Sequence, residues 1–211
     1  LFDDGSWTEL GRAHAGSVIT AFARVEGRPV GVLGNDTQVL GGALDSAASD
    51  KAARFLRLLD AHALPVVSLC DTPGFMVGPD SETEGAVRRM GNLFTAGAAV
   101  RSPWVCVFLR KAYGLGAMAM AGGTFERPDY TVAWPQGEFG GMGLEGAVRL
   151  GFKRELEAAP EAERDALFQR LVGQLYDQGK ATETASFLEI DAVIDPAETR
   201  DVIVRALEAA G

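Results

Sequence analysis

Histidine and cysteine are scarce, with two of each in 211 residues. So few ligands nearly exclude a multi-cysteine zinc site or a disulfide framework, and no metal is expected. No apolar run reaches the roughly 18 residues that a membrane helix needs. Positive charge is in deficit: 20 Lys plus Arg face 29 Asp plus Glu, for a net charge of −9. That balance repels phosphates and argues against a nucleic-acid partner or an anionic lipid surface. Three motifs are missing as well: the G-x-S-x-G nucleophile elbow, the H-E-x-x-H metal motif, and a G-x-G-x-x-G after the first strand. The start, Leu1-Phe2-Asp3-Asp4-Gly5, has no initiator Met and does not read as a signal peptide. A cytoplasmic enzyme is expected, possessed of at most one and a half domains and open to being a fragment or a processed product.

What is abundant is apolar residues, 47%, and glycine, 26 of 211, where the usual glycine share is about 7%. Cys70 and Cys106 lie in apolar, strand-like runs and read as buried reduced thiols. Residues 17–25 and 29–34 read as a strand hairpin around Glu26-Gly27-Arg28-Pro29. A helix over 45–63 follows, capped by Asp45, Ser46 or Ser49. Residues 66–70 form the next strand, broken by Asp71-Thr72-Pro73-Gly74-Phe75. Ser81 and Glu84 have capping-box spacing before a helix running to Val100, with Val87, Met90, Phe94 and Ala98 inward. The unit then repeats as a strand over 104–109, a turn over 110–116, and a short helix over 117–121. A strand at 130–134, the loop Glu138–Gly143, a helix near 144–150, a charged helix over 155–178 broken near Pro160, a strand at 189–194 and a helix from Pro196 complete the chain. Alternating strands and helices imply parallel strands with right-handed crossovers, and the opening hairpin makes the pattern β-β-α.

Two turns share one geometry. At Asp71–Phe75 and at Lys111–Ala117 a buried strand ends in a glycine-bearing turn that enters a helix. Unpaired N–H groups and a positive partial charge mark a helix start, so main-chain donors there suit an oxyanion. The alternative is that glycine merely permits the turn. Side-chain catalysts are few. His14 and His62 read as surface or packing residues, Arg110-Lys111 either faces an anion or is solvated, and Met118 and Met120 face the core or line a pocket. Backbone donors with few bases suit stabilisation of an enolate-like charge.

The residues resemble the C-terminal half of the carboxyltransferase subunit of biotin-dependent acyl-CoA carboxylases, the propionyl-, methylcrotonyl- and acetyl-CoA carboxylase group. The likeness lies in Gly31-Val32-Leu33-Gly34-Asn35, Asp71-Thr72-Pro73-Gly74-Phe75, Arg110-Lys111-Ala112-Tyr113-Gly114, Ala133-Trp134-Pro135, Met142-Gly143 with Gly146-Ala147-Val148, and Ile190–Pro196 with Thr199-Arg200. These fall in order over nearly the whole chain. The resemblance implies an α/β fold of the crotonase/ClpP-like β-β-α superhelix type, with residues 1–211 forming one C-terminal domain and the N-terminal half absent. It implies transfer of CO₂ from carboxybiotin to an acyl-CoA, the N–H groups of Leu115 and Gly116 stabilising the biotin enolate. Pro73, Gly74, Phe75, Tyr113, Gly114 and Ala117 would then bind biotin, while Gly41, Gly42 and Met118 would bear on acyl-CoA and its chain.

Biotin on a carrier protein is the implied cofactor and acyl-CoA the substrate. The implied partners are a biotin carboxylase and biotin carboxyl carrier subunit, and the N-terminal half of another subunit. A dimer-based homo-oligomer, hexameric at full length, is expected, and part of the apolar stretch Ala96–Met120 is a candidate interface. The chain departs from the family in reading Gly114-Leu115-Gly116-Ala117 where members usually read Gly-Gly-Ala after the Tyr, and in its glycine-rich loop Glu138–Gly141. Three other readings are open: a biotin-linked acyl-CoA decarboxylase subunit, a crotonase-type hydratase or isomerase with Glu138 as base, and a non-enzymatic assembly half. Gly116→Pro is expected to abolish one donor, and Gly42→Val to weaken acyl-CoA binding with the fold intact.

Overall fold

The computed structural model describes residues 1–83 and 85–210. Its strands are β1 (Thr8–Leu10), β2 (Val18–Val25), β3 (Arg28–Asn35), β4 (Val66–Thr72), β5 (Trp104–Tyr113), β6 (Tyr130–Ala133), β7 (Glu138–Gly140) and β8 (Ala192–Val193). Its helices are α1 (Ser46–Ala61), α2 (Pro79–Thr83), α3 (Ala86–Ala99), α4 (Gly114–Met120), α5 (Leu144–Gly151), α6 (Lys153–Ala158), α7 (Glu161–Gln178), α8 (Ala181–Ser186) and α9 (Thr199–Ala210). Short 3₁₀ turns occupy Leu40–Gly42 and Pro196–Glu198. The strands form one sheet in the order β1-β2-β3-β4-β5-β6-β8, with β7 pairing the far end of β5. β1, β2 and β3 run antiparallel, and every pairing from β3 onward is parallel. The α/β class and crotonase-like β-β-α architecture read from the sequence are those of the chain.

Period-2 alternation divides the core between the two sheet faces. Leu33, Cys70, Trp104, Cys106 and Phe108 point toward α1, α3 and α4. Val32, Val67, Val105, Val107 and Val132 point the other way, onto Val202, Ile203 and Leu207 of α9. Helix α1 buries Ala48, Ala52, Phe55, Leu56 and Leu59 along one stripe, and the Asp45 carboxylate caps it by accepting the Ala48 N–H at 2.7 Å. Both cysteines are fully buried thiols, and burial pushes their pKa values up.

Several boundaries differ from the sequence reading. Helix α3 begins after Gly85, and Ser81 lies inside α2 and so is not a cap, while its expected partner Glu84 falls outside the described residues. The buried stripe of α3 runs through Ala86, Leu93, Ala96 and Gly97, so Val87 and Ala98 face outward. Strand β5 continues through Arg110–Tyr113, where a turn was expected, because β7 supplies a parallel partner for Lys111, Ala112 and Tyr113. The expected loop at Glu138–Gly143 therefore starts as a strand. The stretch Ala96–Met120 is mostly interior: Trp104–Phe108 and most of α4 are buried in the sheet and its helix layer.

Candidate functional site

Strands β4 and β5 run side by side and end together. β4 pairs with β5 from Val66↔Trp104 to Cys70↔Phe108, then shifts register before Thr72↔Ala112. At the shift the Asp71 carboxylate bridges to β5. It accepts the Lys111 N–H at 3.1 Å and pairs with the Arg110 guanidinium at 3.1 Å. Arg110 is thus committed to Asp71 and is not a free anion ligand. Asn35, at the end of β3, ties a third segment in. Its Oδ1 accepts the Asp71 N–H at 3.1 Å and its Nδ2 donates to the Gly42 carbonyl at 3.1 Å.

Beyond Thr72 the chain turns through Pro73-Gly74-Phe75 and pairs with Leu44. The Leu44 N–H donates to the Gly74 carbonyl at 3.0 Å, and the Met76 N–H donates to the Leu44 carbonyl at 2.8 Å. Strand β5 meanwhile passes through Tyr113 into α4, pivoting at Gly114 with φ +57°. The two glycine turns touch. A Cβ on Gly116 would lie 2.6 Å from the carbonyl carbon of Gly74 and 2.9 Å from the Phe75 nitrogen. Helix α4 starts at Gly114, three residues earlier than expected, which puts Leu115 and Gly116 in its first turn. Tyr113 has extended backbone and makes no side-chain cap. Among the described residues, no loop or side-chain acceptor takes the N–H of Leu115 or Gly116. Both are donors without an intrahelical partner, by position.

A pocket of about 410 Å³ opens along one face of α4. Gly114 and Met118, one turn apart, form its helix side; Phe125, Phe139 and Phe187 supply aromatic walls, and Gly140-Gly141 a rim that is open at Gly141. Phe108, Phe125 and Phe139 interlock edge to face behind it, with centroids 4.9–5.6 Å apart. Larger surface hollows line α9 and α1 and involve none of these residues.

The structure gathers Pro73, Gly74, Phe75, Tyr113, Gly114, Leu115, Gly116, Ala117 and Met118 around the head of α4. Ala117 is fully buried and contributes only its backbone. Gly41 and Gly42 lie in the 3₁₀ turn joined to Gly74 through Leu44. Gly42 is packed against the Asp71 carbonyl, so Gly42→Val would disturb the fold, contrary to expectation. His14 and His62 are exposed and remote in element from α4. Sequence reasoning singled out Asn35 only as part of a motif, and missed its clamp on Asp71 and Gly42 and the aromatic wall of Phe125, Phe139 and Phe187. It also missed the Tyr113 hydroxyl donating to Glu138 Oε2 at 2.5 Å. Burial first, and then this bond, push the Tyr113 hydroxyl pKa up. Among the described residues no group of three or more His, Cys, Asp or Glu side chains could hold a metal, and no helix is long and apolar enough to cross a membrane.

Residues 1–211 match the carboxyl transferase domain model. The chain belongs to the carboxyl transferase domain family. The chain resembles the methylmalonyl-CoA carboxyltransferase 12S subunit of Propionibacterium freudenreichii subsp. shermanii, with 37% identity over 209 residues, 99% of this chain and 39% of that protein. The biotin-dependent long chain acyl-coenzyme A carboxylase beta4 subunit of Mycobacterium tuberculosis is 39% identical over 210 residues, 98% of this chain and 40% of that protein. Among solved structures, a single-chain, multi-domain long-chain acyl-CoA carboxylase superposes with a TM-score of 0.89 at 54% identity, over 98% of this chain and 20% of that one. The transcarboxylase 12S hexamer, with methylmalonyl-coenzyme A and methylmalonic acid bound, gives 0.91 at 37%, over 99% and 40%. This carboxyl transferase domain thus spans about two fifths of the curated relatives it matches.

Proposed function

We propose that this chain is the C-terminal half of an acyl-CoA carboxyltransferase, which moves CO₂ from carboxybiotin to an acyl-CoA and depends on an N-terminal half from another subunit. The observation that carries this reading is the joined pair of turns. The Gly74 turn backs the first turn of α4, where the N–H groups of Leu115 and Gly116 have no intrahelical partner, directly after Gly114, which lines a pocket with apolar walls. A developing negative charge on a ligand oxygen there meets two preorganised donors, each worth on the order of 10²–10³ in rate at such sites. The residues fit a small, largely apolar ring system with one polar oxygen. Pro73, Gly74, Phe75, Tyr113, Gly114 and Ala117 shape its seat, and Biotin, when bound, supplies the carboxyl group in transferable form. Met118, with Phe125 and Phe139 behind it, favours an apolar acyl chain. Leu40 and Gly41, on the open side of the 3₁₀ turn, are the proposed contacts for the CoA portion.

The corresponding partners are a biotin carboxylase and a biotin carrier subunit, with a homo-oligomer built on dimers and hexameric at full length. The reverse half-reaction is the second reading, favoured by 35% identity to the methylmalonyl-CoA decarboxylase subunit alpha of Veillonella parvula. A hydratase is disfavoured because its one candidate base, Glu138, is engaged by Tyr113. The test is ¹⁴CO₂ fixation by the full-length subunit with its biotin partners over an acyl-CoA series of increasing chain length. Biotin-dependent label in the acyl-CoA product is the expected result. Enoyl-CoA hydration without any biotin dependence would overturn the reading.

A further inference from the structure

Glu138 is a half-buried carboxylate bonded to Tyr113, the residue before α4, and its surroundings point to a task other than proton transfer. It opens β7, where it pairs in register with Lys111 of β5 and forms an antiparallel bridge with Lys180 on its other side. Phe139 and Ala181 fasten that second side, the Phe139 N–H donating to the Gly179 carbonyl at 2.7 Å and the Ala181 N–H to the Gly137 carbonyl at 3.0 Å. The backbone of Glu138 is therefore held from both edges. Its side chain accepts the Tyr113 hydroxyl at 2.5 Å. Tyr113 is the residue from which α4 starts, and it too is gripped on several sides. Its carbonyl oxygen would lie 3.2 Å from a Cβ on Gly74, and its ring about 3.5 Å from one on Gly140. One residue later, Gly114 is so close to the strand end beyond β7 that a Cβ there would lie 2.7 Å from the Gly141 carbonyl oxygen.

We propose that Glu138 is a positioning residue, which acts through the Tyr113 hydroxyl to lock the first turn of α4 between the Gly74 turn and the Gly140-Gly141 strand end. The bond is a side-chain link between β7 and Tyr113, two residues before Leu115. Misplacing preorganised donors by about an ångström costs up to about 10²-fold in rate, so a residue that holds them has leverage without touching the ligand. A base at this place would need its carboxylate free to take a proton from the substrate. A positioning residue needs only an acceptor for the Tyr113 hydroxyl, which an amide oxygen also provides.

The activity readout rests on the carboxyltransferase reading above; the exchange readout does not. In the full-length subunit, Glu138→Leu and Tyr113→Phe should each lower kcat at least about tenfold, with the KM for acyl-CoA little changed. Glu138→Gln should stay within about threefold, since a neutral acceptor keeps a weaker form of the bond. The double variant should be no slower than the worse single one, because both remove the same link. Amide hydrogen exchange across residues 114–118 should quicken in Glu138→Leu and not in Glu138→Gln. Equal loss in Glu138→Gln and Glu138→Leu would make Glu138 a proton-transfer group and overturn the proposal, as would additive losses or unaltered exchange in Glu138→Leu. A wild-type subunit with no carboxyl transfer would sink the functional reading alone, leaving the exchange comparison to decide the role of Glu138. Should Tyr113→Phe fail to fold, the two Glu138 variants still decide it.

Discussion

At Gly116 an added Cβ would sit 2.6 Å from the Gly74 carbonyl carbon, so any substitution there pushes two turns apart before it removes a donor. Gly116→Pro consequently reports packing rather than electrostatics. Leu115 is the better probe. The residue is 62% exposed, and proline is tolerated in a first helical turn, where the N–H has no intrahelical partner. Leu115→Pro, shown to be folded by its melting curve, should lower biotin-dependent turnover at least about a hundredfold. Leu115→Ala keeps the N–H and should stay within about tenfold, or about 1.4 kcal/mol of barrier. Normal turnover in a folded Leu115→Pro would reduce this turn to a structural feature. Gly42 makes a second contrast. It has φ +85° and leaves only 2.4 Å between a Cβ and the Asp71 carbonyl oxygen, whereas Gly41 at φ +63° meets nothing within 4 Å. Gly42→Ala should cost about 1–3 kcal/mol in a denaturant titration and more than Gly41→Ala does. Equal costs would show that backbone strain, not the contact, governs the turn.

Between elements, Ser68 makes a fully buried polar link that joins β4, β5 and α4. Ser68 donates to the Met120 carbonyl at 2.7 Å and accepts the Trp104 indole N–H at 3.1 Å, with Ser68 and Trp104 fully buried. Ser68→Ala strands a buried donor and an acceptor, and should destabilise the protein by about 1–3 kcal/mol; a denaturation midpoint unchanged within error would refute this. Ser68 also illustrates what the sequence shows and what it hides. The runs Val66–Cys70 and Trp104–Leu109 read as strands because their apolar, β-branched content is local. The hairpin of β2 and β3 and the break at Pro160 were legible for the same reason. Residues 110–113 were not legible, since they are extended through partners distant in sequence, Glu138 lying 27 residues downstream of Lys111 and Thr72 pairing with Ala112 from β4. The site divides likewise. The glycine turns at Gly74 and Gly114 announce themselves locally, and family resemblance adds their use. The Asn35 clamp, the Tyr113–Glu138 bond and the wall of Phe125, Phe139 and Phe187 join residues distant in sequence, and no spacing rule links them.

Across the whole molecule, the two ends of the chain meet at Asp3. Its carboxylate accepts the N–H groups of Glu26 at 3.0 Å and Gly27 at 2.7 Å, closing the turn between β2 and β3. It also pairs at 2.7 Å with Arg200 at the start of α9, whose guanidinium reaches the Leu1 carbonyl as well. The Arg200 bond first, and then the backbone N–H groups, hold the Asp3 carboxyl below its ordinary pKa of 3.8. Because the folded-state pKa is the lower one, the stabilising contribution is fully present above the ordinary value and is lost as pH falls through the depressed one. Asp60 follows the same rule, its carboxyl lowered by the Arg101 N–H. The gap in melting temperature between wild type and Asp3→Asn should therefore be widest from pH 5 to 7, by about a few degrees at most for a partly exposed ion pair, and should narrow as pH falls below 3.8. Added salt should narrow it at pH 7, since the pair lies at the surface. A gap of constant size from neutral to acid pH would mean that Asp3 contributes through its shape and not its charge.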